Sequence, residues 1–526
     1  MKKFNVTGIC ITGKHYMVNI DRKLFSIMEL IHDGQYFTIN RARQYGKTTT
    51  LVLLERLLMC TPGYTCISLT FEGMGDAMFN NEEQFCQEFL IQAHEALGHT
   101  DIIFAEQWPD ESVKSFAALG RHISKLCRNS KIVLLIDEVD QASNNQVFVQ
   151  FLGMLRSLFL RKASGKAGTF HSVILAGVHD IKNIKLKLIN DGRHIQQDEH
   201  ERQYNSPWNI AAKFTVDMSF SATEISTMLL EYEEDYKTGM DITTIAEEIY
   251  RFTCGYPYLV SRICKCIDDG ESSGGWTISG VQNAVRIIAF EKSVLKDDIF
   301  KNMENNKAIY EFMYKMLIEG YNKRISLFDP LVERCAMFGF ISVDSHGNAG
   351  VSNKIFEMAM TDYFISKENS AAGVSNLICN GMYTEITQGG KFNMELCLRK
   401  FSEHYHEIYA SAAINFLETH GRMIFLSFLK PLVNGNGFFH IESQFTDMRR
   451  MDVIVDYARE QFIIELKLWR GERAQGKAYE QLLNYMKSKG LGKGYLLTFD
   501  FREEGNKSPK AEWVQVGSKK IFDVII

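Results

Sequence analysis

The chain has no run of 18 apolar residues, and its N-terminus, MKKFNVTGICITGKHYMV, lacks the long apolar core and small-residue cleavage site of a secretory signal. Neither a membrane partner nor export is therefore expected, and the expected location is cytoplasmic. No charge sign dominates: 23% charged residues leave a net charge of −5, which argues against a wholesale polyanion binder. The 11 cysteines are scattered, and the one close pair, Cys264 and Cys266, has no second pair to complete a zinc site. Reduced, buried thiols are expected instead. One further absence concerns a motif: where the phosphate-loop signature G-x-x-x-x-G-K-[ST] wants its first glycine, the chain has Arg41.

What is present starts with length. At 526 residues, 45% of them hydrophobic, the chain exceeds what one core holds, so two or more domains are expected. Around that incomplete signature, an apolar strand from Tyr36 to Ile39 runs into a polar turn, and Gly46-Lys47-Thr48 opens a helical pattern to about Cys60. This order suits phosphate binding. Backbone N–H groups of the turn and helix start face the phosphates, Lys47 reaches the β/γ oxygens and the Thr48 hydroxyl holds Mg²⁺. Residues 1–35 read as a lead-in packed on this domain, with Phe25, Met28, Leu30 and Ile31 at helical spacing.

Further on, an alternating strand spans Tyr64 to Phe71, and helical patterns fill about 79–98 and 112–128. Then Lys131-Ile-Val-Leu-Leu-Ile-Asp-Glu-Val-Asp140 runs straight from apolar residues into acids, as a central parallel strand covered on both faces does. Its acids fall at the carboxyl end, where ligands bind in open α/β sheets. Asp137 is therefore expected in the Mg²⁺ shell and Glu138 beside the attacking water. A strand Ser172–Gly177 leads to His179 and Asp180, candidates for sensing the γ-phosphate, with an ordinary strand end equally compatible. Arg156 and Arg161 are read as a solvated helix face ahead of arginine fingers.

Past residue 213 the pattern turns helical, with Ser221–Tyr236, Ile242–Phe252 and Pro257–Ile267, the last preceded by Cys254-Gly255-Tyr256. The string Arg41-Ala-Arg43-Gln44-Tyr45-Gly46-Lys47-Thr48, followed by Thr49, resembles R-x-R-[QR]-[YF]-G-K-[ST] of the bacterial AAA-ATPase-like P-loop proteins, in which the missing glycine is normal. Gly255-Tyr256-Pro257 is similar to the G-x-P element of signal-transduction (STAND) NTPases, which implies contact of Gly255 and Pro257 with adenine. Residues 305–365, with Phe328-Asp-Pro330, Met337–Phe340 and Ser352–Glu357, resemble a winged-helix-like segment.

Small polar residues at 366–380 suggest a linker to a separate α/β unit. Helices at about Asn393–Leu417 and Arg422–Leu432 precede strands at Phe438–Glu442, Met451–Asp456 and Gln461–Leu468, expected as an antiparallel meander. Asp452 opens one strand, while Glu465 and Lys467 alternate on the next and so share a face. Charges in apolar strands are costly unless paired or metal-bound. The pattern D-x12-E-x-K resembles the PD-(D/E)XK nuclease core, with Met451 in place of the proline. That likeness implies that Asp452, Glu465 and the Leu466 carbonyl hold Mg²⁺ or Mn²⁺, and that Lys467 steadies the nucleophile or the phosphate. Glu442 stands where a further acid often lies, and Gln481-x-x-x-Tyr485 is similar to the Q-x-x-x-Y helix of RecB-type nucleases. From Ile441 onward 15 Lys/Arg face 13 Asp/Glu, so phosphate affinity must come from clustering of Arg449, Arg450, Arg470, Arg473 and Lys477. Trp469 beside them is a candidate to stack on a base, though a buried or rim tryptophan is the commoner outcome.

The expected architecture is α/β. It comprises a P-loop parallel sheet over 1–220, a helical lid over 221–300, a winged-helix-like segment over 301–365, and a restriction-endonuclease-like domain over 381–526. The expected function couples an ATP-binding module, a P-loop ATPase, to metal-dependent cleavage of nucleic acid, DNA ahead of RNA, with a homo-oligomer compatible. Two alternatives stay open: an ATP-dependent switch whose C-terminal domain binds nucleic acid or a protein without cutting, and an assembly platform that binds nucleotide without turnover.

Overall fold

The computed structural model describes residues 1–98, 101–142, 145–178, 208–319, 329–343, 349–371, 384–409, 418–433, 437–443, 451–457, 460–500, 502 and 510–526. His179, Asp180 and Phe328 fall outside them, as do Arg449 and Arg450. The chain divides into two compact units: Met1–Asp268 with Met337–Gly339, and Asp269–Ala336 with Phe340–Ile526.

The first unit is built on four parallel strands, β1 (Tyr36–Asn40), β2 (Tyr64–Thr70), β3 (Lys131–Asp137) and β4 (Ser172–Gly177), in the order β1-β4-β3-β2. Every residue of β4, and every residue of β3 after Lys131, is buried, which is why both read as unbroken apolar runs. Parallel neighbours need crossovers, supplied here by helices such as Lys47–Met59, Glu82–Gly98, Phe116–Leu126 and Gln146–Ala163. Phe85, Phe89, Phe148 and Phe151 fill the layer between these helices and the sheet. At about 25 cal/mol per Å² of apolar surface, such fully buried rings contribute strongly to the unit's hydrophobic stabilisation, beside the aliphatic residues packed with them.

In the lead-in, helix Asp21–His32 buries Leu24, Ile27 and Ile31, whereas Phe25 is 64% exposed. Of the expected residues Ile31 is buried and Met28 and Leu30 are half-buried, and only Phe25 is displaced, its place on the inner face being taken by Leu24. Spacing fixes the period, but only the surface underneath decides which of two adjacent stripes faces inward. Three helices follow the sheet: Ala222–Tyr236, held by a Ser221/Glu224 capping box, Ile242–Thr253, capped by Asp241, and Pro257–Asp268.

The second unit opens with helices including Ile278–Phe290 and Lys307–Tyr314. Helix Pro330–Met337 precedes a two-stranded pair, β5 (Ile341–Val343) and β6 (Ala349–Val351). Helix Lys354–Ala371 then runs through the first residues of the expected linker, the rest of which lies outside the described residues. Helix Met394–Tyr409 covers the described part of the helix expected over 393–417.

Six strands form its main sheet: β7 (Gly437–Ser443), β8 (Met451–Tyr457), β9 (Glu460–Leu468), β10 (Lys493–Phe499), β11 (Lys510–Val516) and β12 (Lys519–Ile525). The order is β11-β12-β10-β9-β8-β7. The expected meander β7-β8-β9 is antiparallel; beyond it β9, β10 and β12 run parallel, so the sheet is mixed. Helix Glu472–Ser488 makes the β9-to-β10 crossover and packs Ala478, Leu482 and Met486 against Ile463, Leu496 and Ile521. Among the described residues no helix is long and apolar enough to cross a membrane.

Candidate functional site

In the first unit, residues 41–46 leave the carboxyl end of β1 and enter the helix at Lys47. The turn needs left-handed backbone at Gln44 (φ 57°) and at Gly46 (φ 78°). Glycine tolerates that region and glutamine does so at a cost of about 1–2 kcal/mol, so Gln44 carries strain in this loop. The Lys47 side chain is buried (6% exposed) and its Nζ donates to the carbonyls of Arg41 and Ala42, each at 3.1 Å. Burial holds this ammonium below the usual lysine range.

Opposite, β3 delivers its acids. Thr48 Oγ1 donates to Asp137 Oδ2 at 2.6 Å, and the Glu138 N–H donates to Asp137 Oδ1 at 2.9 Å. Glu138 itself has a positive φ of 52°, and burial, then the neighbouring Asp137, push its carboxyl up from the usual range. A hydroxyl and a carboxylate touching at the end of a central strand form an oxygen-rich donor pair, the hard set that Mg²⁺ takes. The donor chemistry fits the ion expected there.

Three features were not legible in the motif. Arg41, in the place of the missing glycine, is held by partners outside the loop: Nη1 donates to Asn40 O at 2.8 Å and Nη2 to Val216 O at 2.9 Å, with the guanidinium 5.6 Å from the Phe214 ring centroid. Asp140 accepts from the Val178 N–H and so ties the ends of β3 and β4. Tyr256, between Gly255 and Pro257, donates its hydroxyl to the Arg43 carbonyl and packs edge-on against Tyr45, centroids 4.7 Å apart. The Gly255-Tyr-Pro element thus sits on the phosphate loop, and Pro257 comes within 4 Å of where a Cβ on Gly46 would be. Beside it is a cavity of about 150 Å³ lined by Cys10, Gly46, Thr49, Phe220, Pro257 and Tyr258 among others. The lead-in forms one of its walls, with the Cys10 N–H donating to Thr49 Oγ1 at 3.2 Å. Arg161 is exposed and Arg156 half-buried on their helix.

In the second unit Glu465 and Lys467 alternate on β9 as expected, and Lys467 Nζ lies 2.6 Å from Glu465 Oε1. Glu465 is 1% exposed. Register places Asp452 of β8 directly opposite Glu465, and Glu442 of β7 directly opposite Asp452. The three acids therefore stand in one row across three adjacent strands; the side chains of Asp452 and Glu442 lie outside the description. Oxygen donors from two neighbouring strands, with the Leu466 carbonyl on the same strand, are a set that Mg²⁺ or Mn²⁺ accepts. Helix Glu472–Ser488 covers the face that carries Ile463, Glu465 and Lys467. It carries Gln481 and Tyr485, whose Oε1 and hydroxyl are buried without a hydrogen-bond partner among the described residues. Buried polar atoms cost roughly 1–3 kcal/mol when unmatched, so these two fit a ligand-facing role.

The strand alternation also recruits residues that sequence reasoning passed over. Thr498 of β10 pairs with Lys467, and Gln475 Nε2 donates to Thr498 Oγ1 and to Asp523 Oδ1, both at 3.2 Å. Tyr479 donates to Asp523 Oδ2 at 2.6 Å, and Lys510 lies 3.1 Å from the same oxygen. The available signal was a second Q-x-x-x-Y spacing, Gln475 to Tyr479, six residues before the first, and one acid in the apolar run Ile521–Ile526.

Comparison with known proteins follows the same division. Residues 11–275, half of the chain, match the AAA-like domain family, and residues 438–508 match the PD-(D/E)XK nuclease superfamily. Among curated proteins no sequence matches significantly. Solved structures similar to the chain include a Walker-type ATPase of Pyrococcus abyssi, at 9% identity over 68% of this chain and 99% of that one, TM-score 0.45. Others are Cdc6p from Pyrobaculum aerophilum, at 14% identity over 69% and 97%, TM-score 0.33, and the ORC2 protein of Aeropyrum pernix in ADPNP–ADP complexes, at 10% over 70% and 98%, TM-score 0.34. Likeness this distant carries no functional argument. The two family matches do: the chain belongs to the AAA-like family and carries a C-terminal domain of the PD-(D/E)XK nuclease superfamily.

Proposed function

We propose that this protein binds ATP at its phosphate loop, hydrolyses it, and cleaves nucleic-acid phosphodiester bonds at the acids of β8 and β9. The observation that carries the reading is the Glu465–Lys467 pair. A carboxylate 1% exposed and a lysine 2.6 Å from it lie on one face of a strand, directly beside Asp452 in register. A buried charge pair of this kind is a poor source of stability, so its presence is better explained by chemistry.

At the first site Lys47 exchanges its two loop carbonyls for β/γ-phosphate oxygens, while Gly46 and the amides after it, including those of Thr48 and Thr49, approach the phosphates closely. Arg43, Gln44 and Tyr45 shape the loop, and Gly255 and Pro257 bring the lid onto it, with the adjoining cavity suited in size and character to the base. Thr48 and Asp137 would hold Mg²⁺, and Glu138 takes the proton of the attacking water. At the second site Asp452, Glu465 and the Leu466 carbonyl would hold Mg²⁺ or Mn²⁺. A bound ion there supplies Lewis-acid polarisation of the phosphate and an activated water. Lys467 steadies the charge that develops on the phosphate, and Gln481 with Tyr485 lines the approach.

The test is cleavage of single- and double-stranded DNA and RNA with Mg²⁺ or Mn²⁺, with and without ATP, by the parent chain, Lys47→Ala and Glu465→Gln. Cutting is expected from the parent, with DNA ahead of RNA. Lys47→Ala should lose ATP binding and any ATP dependence of cutting. Glu465→Gln should lose cutting and keep ATP binding. A parent chain that binds nucleic acid under these conditions but cuts none would leave a binding module in place of a nuclease.

A further inference from the structure

The alternation that presents Glu465 and Lys467 does not stop at the end of β9. The Trp469 N–H donates to Phe499 O at 2.9 Å, which carries the β9–β10 ladder one residue further and keeps Trp469 in step with Lys467, two residues before it. The Trp469 ring is partly exposed, and the guanidinium carbon of Arg502 stands 4.6 Å from its centroid. Arg502 is not a loose surface arginine. Asp500, 3% exposed, grips it as a fork: Nε lies 3.0 and 3.1 Å from the two carboxylate oxygens and Nη2 lies 2.6 Å from Oδ2. The Arg502 N–H donates to the same carboxylate at 3.1 Å.

A bidentate clamp fixes the guanidinium plane and removes most of the rotamer entropy that an exposed arginine loses when it binds. Asp500 occupies the Nε and Nη2 edge, and Nη1 has no partner among the described residues, with 40% of the side chain exposed. The result is an ordered cation on an aromatic face, with one donor edge left over. Arg470, Arg473 and Lys477 follow, all exposed, and the last two share a helix face at i, i+4.

We propose that Trp469 and Arg502 form a stacking platform for an unpaired nucleotide of a single-stranded nucleic acid, next to Glu465 and Lys467. This rests on the nuclease reading for its purpose but not for its measurement. Flat π and guanidinium surfaces accept a base only when its face is free, so the platform selects single strands or locally opened duplex. The Nη1 edge takes a phosphate oxygen, and Asp500 acts as a positioning residue.

The experiment uses the full chain carrying Glu465→Gln, so that binding is read without cutting, and a fluorescent single-stranded DNA of about 12 nucleotides, within the span that such grooves cover. Adding Trp469→Ala or Arg502→Ala should weaken binding about tenfold or more, and Trp469→Phe should retain most of it. Arg502→Lys keeps the charge and loses the plane and the fork, so it should weaken binding nearly as much as alanine, with the salt dependence unchanged. Duplex of the same sequence should lose about twofold or less. Full binding by Trp469→Ala, full rescue by Arg502→Lys, or equal losses on duplex would each overturn the platform. Thermal unfolding of every variant identifies one that lost binding by misfolding, and the conservative Trp469→Phe then decides. Cutting by the Glu465 chain with Trp469→Ala binding normally defeats the platform alone; Trp469-dependent binding without cutting defeats the nuclease reading alone.

Discussion

The two sites solve one physical problem, placing charges where water is scarce, by opposite means. At the phosphate loop the backbone does the placing. Gln44, Gly46 and Glu138 all have positive φ, and the charged groups are matched by main-chain partners: Lys47 by two carbonyls, Asp137 by the Glu138 N–H. On β8 and β9 the backbone is ordinary extended strand, and the placing is done by alternation and register, Glu465 beside Lys467 and opposite Asp452. A site made from turns stores strain that the surrounding structure must sustain. A site made from strands stores its cost in desolvation. The comparison therefore predicts different consequences when each is dismantled.

The largest effect belongs to the strand site. Replacing Glu465 and Lys467 together by leucine and methionine should abolish cleavage, by about a thousandfold or more, since both the proposed metal-binding oxygen and the proposed charge-stabilising ammonium are lost. Thermal unfolding of the same variant should show stability unchanged or raised by about 1–4 kcal/mol, because apolar groups of similar volume replace a buried ion pair. A clear fall in stability would mean that the pair is structural. The single change Glu465→Leu is the useful contrast, since it leaves Lys467, 19% exposed, without its carboxylate.

Next comes Glu138. Replacing it with glutamine should slow ATP hydrolysis by roughly a hundredfold to ten-thousandfold at unchanged ATP affinity. Burial and Asp137 raise its carboxyl pKa, so the base form is lost on acidification sooner than for an ordinary glutamate. The acid limb of the parent's kcat/KM profile, which reports the enzyme before Mg·ATP binds, should accordingly lie above the usual glutamate range and be absent from the variant's residual rate. If the limb persists in Glu138→Gln, another group is the base.

How far each site can be read from sequence follows from the same contrast. The phosphate loop announces itself as a string, Gly46-Lys47-Thr48, with acids at the end of an apolar strand at Asp137. A string survives without knowledge of what packs on it. What it did not reveal is the role of its neighbours: Arg41 bonded to Asn40 O and Val216 O, Tyr256 bonded to Arg43 O, and the lead-in at Cys10. Those contacts join residues far apart in the chain, about which local pattern is silent. The strand site shows alternation in sequence, hence Glu465 with Lys467, but register is a relation between strands. Gln475, Thr498 and Asp523 come from a helix and two strands beyond the meander, whose continuous apolar runs carry no period to distinguish parallel strand from buried helix. Phe25 is misplaced for a related reason: spacing brings Ile31 inward, but the choice between Leu24 and Phe25 belongs to the surface beneath.

A third test concerns how the Gly255-Tyr-Pro element reaches the loop. Gly255 has φ 74°, and a Cβ there would lie 1.9 Å from the Phe220 carbonyl oxygen, while Phe220 N–H donates to Gly255 O at 2.8 Å. No side chain fits without parting these two segments. Gly255→Ala should destabilise the first unit by about 2–4 kcal/mol, from the left-handed backbone and the overlap together. It should also weaken ATP binding, because Tyr256 and Pro257 move with it. Loss of stability at full ATP affinity would detach the element from the nucleotide.

The smallest effect isolates strain itself. At Gln44, φ 57° burdens a residue with a Cβ where glycine would be at ease. Gln44→Gly removes about 1–2 kcal/mol of left-handed strain and adds about 0.5–1 kcal/mol of chain entropy to the unfolded state, leaving a net gain of about 1 kcal/mol or less. Calorimetry of the first transition should register this as an upward shift of a few degrees at most. No residue of β8 or β9 has a positive φ among those described, so glycine placed at Ile463 or Ile464 should only destabilise, through lost packing and added entropy. If glycine stabilises neither position, the phosphate loop is relaxed as it stands, and the contrast between a site built on strained turns and one built on desolvated strands reduces to the buried charges alone.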